Sequence, residues 1–540
     1  MAGLTGIAIG AVILLVSMIV TRLWQHDESN SQKPPTIGET VPFVSNAWQF
    51  MTHKRRFIAR VSKVLQDSPI AQCQLGFMNI YIITGGSNVS SLFRASFNSE
   101  PWLLKIFEKA AGYEPADMVN YYVDQTGGAI LPRRGSTELP PEKRIWNGIH
   151  RMHDETLLGP RNLAAFAKFF QAFFGRELAT IPAGKWVEDV YILDFLQTRM
   201  GDASTRTFLG PHIIDMNPGF MKAFWQYERQ AEKLAFGLPT WMNGRAIRMR
   251  DKLNDMCRKW FEFSDAKYDW DSPNQDVDWE PLFGLAHSRG LVRWAKSFNF
   301  SNQSIGAAFS LFMFGLHANT IPTCAWIMFE LLKDPELYQA VKAEVKQAEL
   351  TDKSGDVYFD HQKLTTQPLL QSVFNEVLRL HAVLLLTRTS TESVTVAGYT
   401  LPSGSTVQAP TRVAHLRESV WGTPEHPASE FWAYRHVKEV EVTDEQGRTT
   451  KKLEFSMAGR DRWFFPWGGG VSICAGRYIA TAEVMLAISM LITRFEIERV
   501  GWVNRDGSAS KKAAEDDLSN ANAVVAQPDR DMKVRWRRMW

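Results

Sequence analysis

The run Phe464–Leu486, FFPWGGGVSICAGRYIATAEVML, places three consecutive glycines ahead of a lone cysteine and follows it at once with a helix-like segment. Glycine carries no Cβ, so backbone N–H groups on such a loop can approach a side chain closely. The helical pattern starts near Ala475, and a helix N-terminus lowers the pKa of a thiol beside it. Two readings of Cys474 follow: a small buried hydrophobe, as free cysteine often is, or a sulfur ligand. The glycines match neither a phosphate loop nor a dinucleotide fingerprint. No strand–turn–helix setting or neighbouring His–Asp set points to nucleophilic catalysis. Thiolate on iron is one of the haem ligations that proteins use.

The other cysteines narrow the choice. Cys73, Cys257, Cys324 and Cys474 are widely separated and form no C-x-x-C pair. That argues against a disulfide framework or a structural zinc site and for a reducing compartment. A net charge of +3 is too small to imply nucleic acid as a partner. With 33 Phe and 19 Trp, the chain has material for a large core and an apolar pocket.

Leu4–Trp24 carries no charge before Arg22. This apolar run is near the lower length limit for a spanning helix. Residues 1–24 are therefore expected to form a transmembrane anchor. Arg22 and the later His53–Arg56 favour a cytosolic C-terminal side. No basic segment precedes the run, and no small-residue cleavage site follows it, as a signal peptide would require. Residues 25–47, with Pro34, Pro35 and Pro42, read as a stiff hinge. From residue 48 to 540 no linker or repeat divides the chain. Helical spacing dominates, as in RNLAAFAKFFQAFFGREL. The β-like pieces are short: CQLGFMNIYIITG, a hairpin in Glu392–Pro410 with its turn at LPSGS, and edge strands in KKLEFSM and MKVRWRRMW. ELTDKSGDVYFD reads as an exposed loop. The expected class is one mainly α domain with small β-sheets.

Two more segments carry chemistry. In LLQSVFNEVLRLH, Glu376 and Arg379 lie three residues apart on one helix face. Apolar neighbours surround them, which suggests a buried pair needing further partners. Ser304–Leu337 is a long, almost uncharged helix pattern, either a second membrane span or a central core helix. Pro322 lies inside it and removes the backbone bond to Ala318. The helix is expected to distort there and to bring Asn319 and Thr320 together as a polar cluster needing a partner.

Together these segments resemble the cytochrome P-450 haem-thiolate family. Phe465 to Arg477 resembles its cysteine-loop signature, and Glu376-x-x-Arg379 its second signature. The order of central helix, Glu-x-x-Arg helix, short sheet and cysteine loop also agrees, and the anchor and hinge are similar to those of microsomal members. The resemblance implies that Cys474 is the axial thiolate of a haem b iron. It implies that Trp467 packs beside the sulfur and that Gly470 and Gly476 hold the loop. Arg435, in EFWAYRHV, would join Glu376 and Arg379 in the structural core, and Arg388 would contact a haem propionate. Thr320 and Asn319 would serve oxygen chemistry.

Two positions depart from the usual pattern. Ser472 stands two residues before the cysteine, where most members have a basic residue; Trp146 or Arg151 could supply that contact. Asn319 stands where most members have an acid. Both variants are similar to the branch containing cholesterol 7-alpha-hydroxylase and prostacyclin synthase. The resemblance therefore implies a monooxygenase that hydroxylates or epoxidises a lipophilic small molecule, such as a sterol or terpenoid. It would use dioxygen and electrons from NADPH-cytochrome P-450 reductase, on the endoplasmic reticulum membrane with its catalytic domain in the cytosol. The alternative is a redox-neutral isomerase or dehydratase acting on a peroxide.

Overall fold

The computed structural model describes residues 33–235, 240–272, 276–443, 449–520 and 525–540. The expected anchor, residues 1–24, and the first part of the hinge lie outside them. The described end of the hinge runs along a sheet: Ile37 N–H donates to the Gln72 carbonyl and Gln72 N–H to the Pro35 carbonyl, both at 2.8 Å. Ile37 is buried there.

A single helix, Asn302–Lys333, runs through the core. Ser301 caps its start by accepting the Ser304 N–H at 3.2 Å. Asp334 ends it and caps the next helix, Pro335–Lys346, by accepting the Leu337 N–H. Its side chains are apolar nearly all round, which a helix tolerates only when surrounded. Most of them are buried against protein, so of the two sequence readings the core helix is the one adopted. Pro322 does not end it. Thr320 and Thr323 hydroxyls donate to the Leu316 and Asn319 carbonyls at 2.8 and 2.7 Å. The helices Thr240–Asp265, Gly201–Leu209 and Arg477–Arg494 pack along its sides, and Pro160–Ala179 packs against the last two.

The strands form separate small sheets. The largest has the order Ile70–Leu75, Met78–Ile83, Thr406–Pro410, Leu385–Ser390, Phe97–Asn98. Within it Arg388 stands opposite Val407. The expected hairpin of Glu392–Pro410 is real but its turn is elsewhere. Val394–Val396 pairs with Tyr399–Leu401 around Ala397–Gly398, where both residues have positive φ. The LPSGS segment instead turns the chain back so that Thr406–Pro410 can join the larger sheet. Arg530–Arg538, expected at an edge, lies between Phe495–Asn504 and Trp186–Tyr191. Its alternating Met532, Val534 and Trp536 are buried, the pattern of a strand packed on one face. ELTDKSGDVYFD is a small hairpin, Glu349–Thr351 with Val357–Phe359, rather than a loop.

Candidate active site

The cysteine loop is built on backbone bonds. Cys474 N–H donates to the Trp467 carbonyl at 3.0 Å, and Ile473 N–H to the Gly470 carbonyl at 3.1 Å. Gly468 and Gly470 adopt positive φ, +71° and +67°, which a Cβ would strain. A Cβ on Gly469 would lie 2.3 Å from the Phe93 ring, so close approach fixes the middle glycine as well. The helix behind the loop starts at Arg477, after Gly476, two residues later than the sequence pattern indicates. A Cβ on Gly476 would stand 3.9 Å from Cys474 Sγ, in ordinary contact. Trp467 stacks on Phe374 at 6.4 Å between ring centroids, which joins the loop to the Glu376 helix, Pro368–His381.

Beneath the loop lies a buried charge cluster. Arg379 forks onto Glu376, with Nε to Oε2 and Nη2 to Oε1 both at 2.7 Å. Its remaining donors reach the carbonyls of His415, Ala428 and Glu430. Arg435 Nε adds a bond to Glu376 Oε1 at 2.8 Å, and His436 Nε2 reaches Oε2 at 3.1 Å. All four side chains are buried. Burial pushes the Glu376 carboxyl up, but the bonds from Arg379 and His436 outweigh it and hold it well below the usual range. His415 connects this cluster to the loop: its carbonyl accepts from Arg379, and its Nε2 accepts the Phe465 N–H at 3.2 Å. That bond needs an unprotonated Nε2, and burial lowers the His415 pKa to about 3.

Asn319 and Thr320 do not come together as one polar cluster. Asn319 Oδ1 accepts the Val525 N–H at 2.9 Å, while the Thr320 hydroxyl turns back to the Leu316 carbonyl and lies near Glu483. Successive residues on a helix point about 100° apart, so each side chain finds its own partner.

A family model described as cytochrome P-450 matches residues 194–506. The cytochrome P-450 monooxygenase calL of Penicillium decumbens is 37% identical over 533 residues, covering 98% of this chain and 97% of that protein. The chain belongs to the cytochrome P-450 family. The monooxygenase efuG of Hormonema carpetanum is 28% identical over 91% of each chain. The cholesterol 7-alpha-monooxygenase of Cricetulus griseus is 25% identical over 41% of this chain and 42% of its own length. This cytochrome P-450 is thus an oxidoreductase of monooxygenase type whose family uses a haem iron bound by cysteine thiolate.

The residues present fit that group. Cys474 is exposed to accessible space. Burial raises the thiol pKa, against the opposing pull of the Gly476 N–H and Arg477. The loop amides alone therefore do not lower it as the sequence suggests; a thiolate here needs a cation against the sulfur. Gly315 is exposed midway along an otherwise buried helix, so that helix also lines open space. Arg388 is buried and bonds only to carbonyls, of Thr387 at 2.9 Å and Gly469 at 3.2 Å. Among the described residues no carboxylate pairs with it, and burial lowers its pKa to about 10. A buried guanidinium beside the cysteine loop suits an anionic group such as a propionate.

The variant position and the residues considered for its lost contact find other partners. Ser472 Oγ bonds Ser99 Oγ at 2.7 Å, and Trp146 is buried in the aromatic core. Arg151 faces solvent and pairs with Glu155 at 3.6 Å. His150, beside it, and Val471 of the loop both lie against Gly128, where a Cβ would meet each of them. Phe93, His415 and His436 contact the site from distant segments, so no local spacing marks them. Glu483 had a visible signal, being the one carboxylate in Arg477–Arg494.

Proposed function

We propose that this protein is a haem-dependent monooxygenase that hydroxylates or epoxidises a lipophilic small molecule such as a sterol or terpenoid. It takes dioxygen and electrons delivered by an NADPH-cytochrome P-450 reductase. The observation that carries the reading is the joining of three separate segments at one place. The Cys474 loop rests through His415 on the Glu376–Arg379–Arg435 cluster, and Arg388 reaches Gly469 of the same loop from the sheet.

Haem held through Cys474 supplies the activation of dioxygen. The chain does the rest. Arg388 holds a propionate. Trp467 and Phe374 keep water from the sulfur side. Gly468 and Gly470, with their positive φ, shape the loop that carries Cys474. Thr320 Oγ1 holds and passes a proton. Asn319 has a positioning role, fixing the Val525 segment against the central helix. An apolar central helix favours a substrate of low polarity. The organisation that goes with this function is an anchor at 1–24, a hinge at 25–47 and a catalytic domain at 48–540, held on the endoplasmic reticulum membrane and facing the cytosol.

The test is turnover of a sterol and terpenoid panel with NADPH, reductase and isotopically labelled dioxygen. One labelled oxygen atom in the product supports the reading. Product formed from an organic peroxide without any electron donor assigns a redox-neutral isomerase instead.

A further inference from the structure

Residues 133–136 read Arg-Arg-Gly-Ser. Nowhere else in the chain do two adjacent basic residues stand two and three positions before a serine or threonine. The segment lies in the connection between the helices Pro115–Val123 and Ile145–Leu157. Arg134, Gly135, Thr137 and Glu138 are exposed there, and Ser136 is half-buried. Among the described residues, the hydrogen bonds made by 134–139 are those of the Ser136 amide and hydroxyl to the Arg133 carbonyl, at 3.1 and 2.7 Å. Once that single turn opens, the segment is free to extend into the cleft of another protein, as exposed loop tips do for processing enzymes.

The two arginines are held differently. Arg134 is exposed, and among the described residues no carboxylate pairs with it. Arg133 turns inward. Its Nη2 reaches both Glu100 oxygens at 2.8 and 2.7 Å, and its Nη1 the Gln125 carbonyl at 3.3 Å. Burial pushes the Glu100 carboxyl up, and Arg133 is the group that most opposes it. Ser99, beside Glu100, bonds Ser472 of the cysteine loop at 2.7 Å. A short chain of contacts thus runs from Ser136 through Arg133, Glu100 and Ser99 to the loop that carries Cys474.

We propose that Ser136 is a phosphorylation site for a serine/threonine kinase whose groove reads arginines ahead of the acceptor, and that its phosphate draws Arg133 off Glu100. A guanidinium makes charge-assisted, paired bonds to carboxylates, so a groove lined with carboxylates selects this segment over others. In the transfer, Ser136 Oγ bonds the γ-phosphorus of ATP, and the bond from that phosphorus to the bridging oxygen breaks. ADP leaves, the hydroxyl proton passes to the kinase's base, and no electrons are exchanged. The new group carries a charge of about −1.5 to −2. It stands on the residue already bonded to the Arg133 backbone, and it attracts that guanidinium more strongly than the single charge of Glu100 does. Glu100 is then left buried without its cation, which is costly, and the Ser99–Ser472 contact loosens. The consequence for the cysteine loop rests on the haem reading; the phosphorylation of Ser136 does not.

The experiment uses the full-length holoenzyme, ATP and the catalytic subunit of cyclic-AMP-dependent protein kinase, which prefers such arginines, with sites mapped by tandem mass spectrometry. Wild type that keeps its haem should take up a single phosphate, at Ser136. Ser136→Ala should take up none, and Arg134→Gln should be labelled several-fold more slowly. Glu100→Gln, which frees Arg133, should be labelled several-fold faster. Hydrogen exchange in residues 97–105 and 468–476 should rise after labelling. Wild type left unlabelled, or labelled at Thr137 in place of Ser136, overturns the site. Unchanged exchange in both segments, or Glu100→Gln labelled at the wild-type rate, overturns the coupling through Arg133. Each outcome is read without turnover, so it stands apart from any failure of the monooxygenase reading. If Glu100→Gln does not fold, exchange in labelled wild type decides the coupling alone.

Discussion

Asn319 Oδ1 accepts the Val525 N–H at 2.9 Å and so ties the middle of the central helix to the C-terminal segment. The bond uses only the oxygen. Asn319→Asp keeps an acceptor there and should leave the Val525 amide protected from hydrogen exchange. Asn319→Ala strands that N–H and should cost about 1–3 kcal/mol, with loss of protection at Val525. Equal protection in both variants would show that the contact contributes nothing.

Glu376 neutralises two buried guanidiniums, and removing it leaves both uncompensated. Glu376→Ala should destabilise the protein by about 3–5 kcal/mol or abolish folding. Arg435→Ala should cost less than Arg379→Ala, because Arg379 alone forks onto both carboxylate oxygens. Denaturant titration of the three variants checks the order.

Two buried carboxyls respond to pH in opposite senses. Glu376 is held below its ordinary value, so its contribution is present above the unfolded pKa and is lost as pH falls through the folded one. Glu483 is raised to about 8. Between its unfolded value of about 4.3 and that point, the folded state holds a proton that the unfolded chain has released. Stability should therefore fall as pH rises through this window, by roughly 1.4 kcal/mol per unit from this group. Glu483→Gln should flatten the slope across this window; a slope unchanged in the variant contradicts the assignment.

Arg388 gives a prediction that separates haem binding from folding. It is buried among carbonyls, and among the described residues no carboxylate pairs with it. Arg388→Met should lower haem retention while leaving the thermal stability of the haem-free protein unchanged or higher. Calorimetry of the haem-free form, beside haem content per chain, distinguishes the two.

Phe93 and Gly469 test the loop. Gly469→Ala forces a Cβ into the Phe93 ring and should cost about 1–3 kcal/mol, with haem content falling. Adding Phe93→Leu should recover part of the loss.

What could be read from the chain depends on how far apart the interacting residues lie. Glu376 and Arg379 share one helix turn, and the glycines and Cys474 share one loop, so local spacing displays them. Arg435 was legible only by resemblance. His436, next to it, contacts the same carboxylate at 3.1 Å, but nothing in YRHV says which way the imidazole turns. His415 and Phe93 come from segments far along the chain, and no short-range pattern announces them. The LPSGS turn misled because its residues suit a turn equally well in either pairing. The true hairpin reverses at Ala397–Gly398, where the positive φ of Ala397 had no sequence signal. Asn319 and Thr320 stand out in the sequence as polar residues on an apolar helix, yet adjacency in sequence sets them on different faces, with Val525 and Leu316 as their separate partners.

The central claim is that Cys474 holds the haem iron, and the reduced-plus-carbon-monoxide difference spectrum tests it most directly. Wild type should give the long-wavelength Soret band from which the family takes its name, and Cys474→His, still binding haem, should lose it. A folded wild-type protein whose band sits where histidine-ligated haem absorbs, or a Cys474→His variant that keeps the long-wavelength band, would contradict thiolate ligation by Cys474.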